Sequence, residues 1–326
     1  MDALSEVLKA VRLTSGIFLE AEFTAPWCID TAPGKGDLAQ ILPSVEQISI
    51  FHLVTEGRCR ATLPGSGPAL DLEAGDLIVF PHGDPHKMGT DLHLAPHGWE
   101  IVEFAPGGGF ARVRYGGGGE RARFLCGFMA CDKRTCKPLL GALPRMLSVS
   151  LRDSPAASWI EATLRRGASE THAPSAGGEV VLGRLAELVF VEGVREYVRS
   201  LPASQQGWLA GLRDPHVGRA LALLHAEPAR AWEVETLGRE VGLSRSALAD
   251  RFVALLGEPP MQYLTGWRMA LASQALSTSS DAVARIAERV GYDSEAAFNR
   301  AFKREFGTPP AAWRRAARQS KAAVKA

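Results

Sequence analysis

The chain has 326 residues, 46% of them hydrophobic and 22% charged, with a net charge of +1. That is room and composition for two or three ordinary globular domains. No stretch approaches the roughly 18 uninterrupted apolar residues of a transmembrane helix. The opening MDALSEVLKAVRL carries early acidic residues and no small-residue cleavage site, unlike a secretory leader, so a reducing cytoplasm is the expected compartment. The five cysteines (Cys28, Cys59, Cys126, Cys131 and Cys136) are then expected to be free, metal-bound or redox-active rather than structural cross-links. Charge is mildly uneven: from Asp214 onward 16 Lys/Arg face 12 Asp/Glu, against 21 and 24 before it. This permits a nucleic-acid partner for the C-terminal part without requiring one.

In chain order, Leu4, Val7, Leu8 and Val11 fall at helical spacing and predict a short amphipathic helix. Residues 15–130 alternate short β-rich runs (QISIFHLV, CRATL, GDLIVF, WEIVEF, ARFLCGFM) with Gly/Pro turns, which predicts a β-sandwich or barrel. Within it, GDLIVFPHGDPH sets Gly75, Pro81, Gly83 and His86 at G-x5-P-x-G-x2-H, a spacing that resembles the second motif of cupin barrels. Upstream, IFHLVTEG supplies His52 and Glu56, with Ile50 where cupins often carry another histidine. His52 and His86 on inward-facing strands, with Cys126 as a thiolate, make a candidate metal set that suits zinc better than iron. Glu56 and His82 are further donors in reach. The alternative is a pair of core histidines that only hydrogen-bond. Trp27, Phe51 and Trp99 are candidates for a small-molecule pocket or for plain core. Cys131 and Cys136 flank DKRT, where Lys133 and Arg134 can lower a thiol pKa and favour oxidation. They can equally be incidental thiols.

Between Leu139 and Ser200 the pattern turns helical, in ASWIEATLRRGASE and EVVLGRLAELVFVEGVREYVRS. The second is expected to bury Val181, Leu185, Leu188 and Val189, against its own barrel or in a dimer seam. From Asp214 the chain reads as all-helical, starting with an N-cap and Pro215 at the first helical position.

There the chain repeats itself. VGLSRSALADRFVALLGEPP (241–260) and VGYDSEAAFNRAFKREFGTPP (290–310) each follow a helix with a glycine turn, a cap (Ser244 or Asp293), a second helix, a glycine stop and Pro-Pro. This is a helix-turn-helix pattern whose second helix is free to lie in a major groove. In the first copy Leu248, Phe252 and Leu255 form the core side, and Arg245, Ser246, Ala249 and Asp250 face out. In the second, Phe298, Phe302 and Phe306 are core, and Glu295, Ala296, Asn299, Arg300 and Lys303 face out. Arg300 can pair with a guanine edge and Asn299 with an adenine edge, while Asp250 can accept from cytosine. Two such helices in one chain can enter successive grooves, about 34 Å apart.

Over about Pro215–Arg318, LGREVGLSRSALADRFVALLGEPPMQYL and IAERVGYDSEAAFNRAFKREFGTPPAAWR resemble the AraC/XylS family of bacterial transcriptional regulators. APWC and FLCG are similar to the cupin-like sensing half of one subgroup. The resemblance implies double-stranded promoter DNA and RNA polymerase as partners, usually in activation. It places base contacts at Ser246, Ala249 and Asp250, then at Glu295, Ala296, Asn299 and Arg300. The expected architecture is α+β and multidomain: a cupin-like β-barrel sensor over residues 1–150, a helical linker and dimerisation segment over 151–210, and a DNA-binding domain with two helix-turn-helix motifs over 214–318. The expected function is sequence-specific DNA binding, as a homodimer, under a small-molecule, metal or redox effector, with no membrane and no enzymatic activity. The alternatives are a cupin enzyme that carries a DNA-binding domain and a helical adaptor that binds no DNA.

Overall fold

The computed structural model describes residues 2–10, 14–31, 47–65, 67–98, 101–104, 111–160, 162, 176–202 and 205–325. Trp99 and most of the helix expected over 157–170 lie outside them. The described strands are β1 Thr14–Thr24, β2 Cys28–Asp30, β3 Gln47–Glu56, β4 Arg58–Thr62, β5 Leu70–Glu73, β6 Asp76–Phe80, β7 Lys87–Gly89, β8 Glu103–Phe104, β9 Ala111–Gly116, β10 Arg121–Cys131 and β11 Leu147–Ser150. The helices are α1 Ala3–Ala10, α2 Lys137–Leu140, α3 Gly178–Ser200, α4 Trp208–Arg213, α5 Pro215–Ala226, α6 Val234–Val241, α7 Arg245–Leu256, α8 Pro260–Thr278, α9 Val283–Arg289, α10 Glu295–Phe306 and α11 Pro310–Lys325.

These elements fall into two compact units. In the first, a seven-stranded sheet in the order β11-β6-β3-β10-β1-β9-β8 is accompanied by a four-stranded sheet in the order β2-β7-β4-β5. Among the described strands every ladder is antiparallel except β1 with β9. Alternation along the strands builds one core from both sheets. Phe124, Cys126, Phe128 and Ala130 of β10 join Leu19, Ala21 and Phe23 of β1, Ala61 of β4, Leu72 of β5 and Met88 of β7. The intervening residues of β10 point to the opposite face, and α3 packs on β1, β10 and β11.

The face that α3 buries differs from the expected one. Leu182, Ala186, Val189, Phe190 and Val194 are buried, whereas Val181 and Leu188 are exposed together with Val180. The helix is apolar on most sides, so periodicity does not select its inner face; glycine does. A Cβ on Gly183 would stand 2.8 Å from the Ser15 carbonyl oxygen, and one on Gly193 only 2.3 Å from Leu77 Cδ2. Ser15 Oγ donates to the Gly183 carbonyl at 2.8 Å, which closes this backbone approach. A helix expected in the linker is thus part of the β unit.

The second unit is helical and contains α1, α2 and α4–α11. It does not follow chain order. α1 packs on α5, and α2 packs on α1 and α4, so two pieces of the N-terminal half belong to this unit. Asp214 caps α5, accepting from the backbone N–H groups of His216 and Val217 at 3.0 and 2.9 Å, and Pro215 opens the helix.

Candidate nucleic-acid interface and barrel cavity

The helical unit builds the same device twice. In the first copy, α6 ends at Gly242, which has φ 76°, and the Leu243 N–H returns to the Gly238 carbonyl at 2.9 Å. In the second, Gly291 has φ 83°, and the Tyr292 N–H returns to the Ala287 carbonyl at 2.9 Å. Only glycine takes this left-handed conformation at no steric cost, which is why each turn needs one. The second helix then starts on a serine. Ser244 Oγ accepts from the Ala247 N–H at 3.2 Å, and Ser294 Oγ accepts from the Ala297 N–H at 3.2 Å. The cap of α10 is therefore Ser294 and not the expected Asp293. The extra residue of the second copy sits in its turn, before the helix begins. α7 stops at Gly257 and α10 at Gly307, each donating four residues back at 2.8 Å, to Val253 and Lys303.

The inner faces come out as expected. Leu248, Phe252, Phe298 and Phe302 are buried, and Leu255 and Phe306 are half-buried. The second copy is packed by aromatic rings: Phe302 lies 5.5 Å from Phe298, 4.5 Å from Phe306 and 5.8 Å from Trp313. The first copy relies on Phe252 against Tyr263 at 5.7 Å and on a buried polar chain. In that chain Trp208 Nε1 donates to the Tyr263 hydroxyl at 2.8 Å, and the hydroxyl lies 2.7 Å from His225 Nε2. Burial holds His225 at about 4, so the imidazole is neutral and Nε2 accepts from Tyr263. α8 contacts elements of both copies, α7 in the first and α9 and α10 in the second.

On the outer faces, Arg245, Ser246 and Asp250 are exposed and Ala249 is half-buried; Glu295, Ala296 and Arg300 are exposed and Asn299 is half-buried. All eight lie in the first half of their helices. Asn299 Nδ2 donates to the Glu295 carbonyl at 2.9 Å. Arg251, one turn along from Ala247, is instead tied to Asp214, Nε to Oδ2 at 2.6 Å.

In the β unit, His52, His86 and Cys126 do come together, because His52 on β3 pairs in register with Cys126 on β10. His52 Nδ1 is 2.8 Å from Cys126 Sγ, and its Nε2 is 2.8 Å from His86 Nε2. His86 Nδ1 lies 2.9 Å from the Asp84 carbonyl oxygen. A carbonyl can only accept, so His86 carries its proton on Nδ1 and offers a lone pair at Nε2. His52 must then donate from Nε2 and accept the Cys126 S–H at Nδ1. The result is a directed chain of neutral groups. Burial supports it: desolvation holds His52 well below its ordinary value and His86 at about 4, and raises the Cys126 thiol.

This geometry does not fit the expected zinc set. Cys126 and His86 approach opposite edges of the His52 ring, so the three donors do not converge on one point. Glu56 pairs with Arg123 at 3.2 Å, and His82 is exposed. Among the described residues no group of three His, Cys, Asp or Glu side chains is placed to hold a metal ion. His52 and Cys126 instead form part of the wall of a cavity of about 50 Å³, lined mainly by apolar groups such as Phe23, Met88, Val113 and Phe124, with Asp30 and Thr31 also on its wall. Trp27 also lines it, and its indole N–H is buried without a hydrogen-bond partner. Phe51 is plain core. Cys28, Cys59 and Cys126 are free and buried, whereas Cys131 and Cys136 are each disulfide-bonded.

A cupin-type β unit and a duplicated helix-turn-helix in one chain define a class of DNA-binding regulators. Residues 2–199 match the cupin family model, and residues 237–316 match a helix-turn-helix domain model. A protein of Streptomyces lividans described as an AraC-like transcription regulator is 32% identical over 316 residues, covering 97% of this chain and 98% of its own. The transcriptional regulator AlkR of Acinetobacter baylyi is 29% identical over 317 residues, covering 96% and 99%. Among solved structures, the DNA-binding domain of AdpA in complex with a target DNA is 34% identical, covering 33% of this chain and 96% of that one at a TM-score of 0.31. The chain belongs to the AraC-like family of DNA-binding transcription regulators. No helix among the described residues is long and apolar enough to cross a membrane.

Proposed function

We propose that this protein binds promoter DNA in a sequence-specific manner through both reading helices, and that a small, mainly apolar molecule in the barrel cavity controls that binding. The observation that carries the first part is the duplication itself. Two helices with the same serine cap and glycine stop present their N-terminal halves to solvent, with α8 between them. Glu295, Ala296, Asn299 and Arg300 read bases in one groove segment, and Arg245, Ser246, Ala249 and Asp250 in the next. Transcription is then set through contact with RNA polymerase, as family membership supports.

The cavity supports the second part, since an almost wholly apolar wall with one unmatched N–H suits a ligand with a single acceptor group. β10 carries Phe124 and Cys126 into that wall and leads directly into the 132–142 segment of the helical unit, which gives the signal a covalent route. The exposed Val180, Val181 and Leu188 of α3 support association into a homodimer.

The test is selection of genomic fragments by the purified full chain. A shared motif with two blocks supports the reading, and retention of no fragment contradicts it. Short-chain ketones and alcohols, screened by thermal shift, probe the cavity. Stabilisation should weaken in Trp27→Phe, which removes the indole N–H together with part of the ring.

A further inference from the structure

The helical unit contains a cleft that neither DNA reading nor the barrel cavity uses. Its volume is about 600 Å³, and every residue of its wall belongs to that one unit. This is the size of an ordinary small-molecule site. The floor is a single stripe of α8, Tyr263, Gly266, Trp267 and Ala270, at positions i, i+3, i+4 and i+7. Gly266 leaves that floor bare: it is exposed, and a Cβ built on it would meet nothing within 4 Å. Leu256, the last residue of α7, and Phe306, the last of α10, stand on the walls. The cleft therefore spans the C-terminal ends of both reading helices.

Two properties of the wall select a ligand. The first is charge. Glu258 and Glu305 line the cleft together with Lys137 and Arg134. Arg134 is already engaged, its guanidinium 4.1 Å from the Trp313 ring centre and 5.5 Å from that of Phe306. Among the described residues neither carboxylate is matched by an ion pair or a hydrogen bond. Burial raises the Glu258 carboxyl; Lys137 opposes that rise and Glu305 adds to it, and the outcome is still upward. One lysine thus leaves the two acids short of positive charge. The C-terminal ends of α7 and α10 add negative partial charge of their own. The second property is aromatic surface with one unspent donor. Trp208 Nε1 donates to the Tyr263 hydroxyl, which donates to His225, so those polar tips are satisfied. Trp267 is 2% exposed, and its indole N–H is buried with no hydrogen-bond partner.

We propose that this cleft is a second ligand site, and that it takes an arylalkyl amine bearing one acceptor atom. The ammonium sits by Glu258 and Glu305, the ring lies over Gly266 among the aromatic side chains, and the acceptor meets the Trp267 N–H. An ammonium gains from carboxylates and ring faces together, whereas an alcohol lacks the charge and a carboxylate is repelled. The site depends neither on DNA reading nor on the barrel cavity.

The experiment is calorimetric titration of the full chain, without DNA, with 3-phenoxypropylamine, 3-phenoxypropanol and 3-phenoxypropanoate. The expected result is one amine bound per chain, the alcohol about tenfold weaker and the carboxylate not bound. Gly266→Leu fills the open floor with a better helix former, so it should fold and unfold thermally no earlier than the wild type, yet lose the amine. Glu258→Gln/Glu305→Gln should bind the amine no better than the alcohol. Trp27→Phe, which alters the barrel cavity, should bind it like the wild type. No binding of the amine, equal binding of all three probes, binding that survives in Gly266→Leu, or a full-strength amine site in the glutamine pair would each overturn the inference. Loss in Trp27→Phe alone would move the amine to the barrel cavity and overturn it too.

Discussion

The two helix-turn-helix copies share a frame and differ in almost everything else. Both turn on a left-handed glycine, cap with serine and stop on glycine. Beneath that frame the second copy is filled by aromatic rings, Tyr292, Phe298, Phe302, Phe306 and Trp313, whereas the first holds a buried Trp208–Tyr263–His225 chain. Their outer faces differ as well: Asp250 and Ala249 in the first stand where the second has Arg300 and Asn299 at 50-residue spacing. Backbone devices are constrained by geometry, so they repeat. Side chains that meet different neighbours, or different bases, are free to diverge.

The largest test of this contrast is in the cores. Phe302→Ala removes a fully buried ring that touches three others, and we expect a loss of roughly 3–5 kcal/mol in urea unfolding. Phe252→Ala, whose ring packs on Tyr263, should cost less. Equal losses would show that ring contacts add nothing beyond burial.

Next comes pH. His225 is held at about 4, below its ordinary 6.5. Between those values the unfolded chain binds a proton that the folded chain refuses. The stability it contributes is therefore complete above pH 6.5 and declines as pH falls toward 4, by up to about 3 kcal/mol. The second copy holds no histidine. Hydrogen exchange at pH 5 should accordingly speed up in α5 more than in α10. Uniform acceleration would deny the difference.

On the reading faces, Arg300→Ala is expected to weaken specific DNA binding by about 1–3 kcal/mol and to relax one base position. Asp250→Ala should change base preference with less loss, since a carboxylate gains little near phosphates. Smallest are the caps. Ser294→Ala should cost about 1 kcal/mol in thermal unfolding, and Asp293→Ala almost nothing. The reverse order would restore Asp293 as the cap.

These contrasts also show what a sequence discloses. The duplicated helices were legible because their signals are local: glycines, caps and phenylalanines at helical spacing. The cap of α10 was misplaced by one residue because Asp293 and Ser294 are both good cap formers, and only the turn length decides between them. The inner face of α3 was misread because Val180, Val181, Leu185, Leu188 and Val191 offer apolar groups on nearly every side. Gly183 and Gly193, ten apart on one face, were the available signal. His52, His86 and Cys126, expected as a metal set, lie together, but their arrangement depends on the Asp84 carbonyl, which no side-chain pattern encodes. That 132–142 belongs with the helices is a long-range fact, carried by contacts such as Arg134 on Trp313.

The central claim is that both copies read DNA. The most direct test is base-resolved interference mapping on a selected fragment, with the wild type, Arg300→Ala and Arg245→Ala side by side. The account predicts two blocks of base-specific contact about one helical turn, or ~10 base pairs, apart, with Arg300→Ala eroding one block and Arg245→Ala the other. A single block, or uniform loss across the site in both variants, would contradict it.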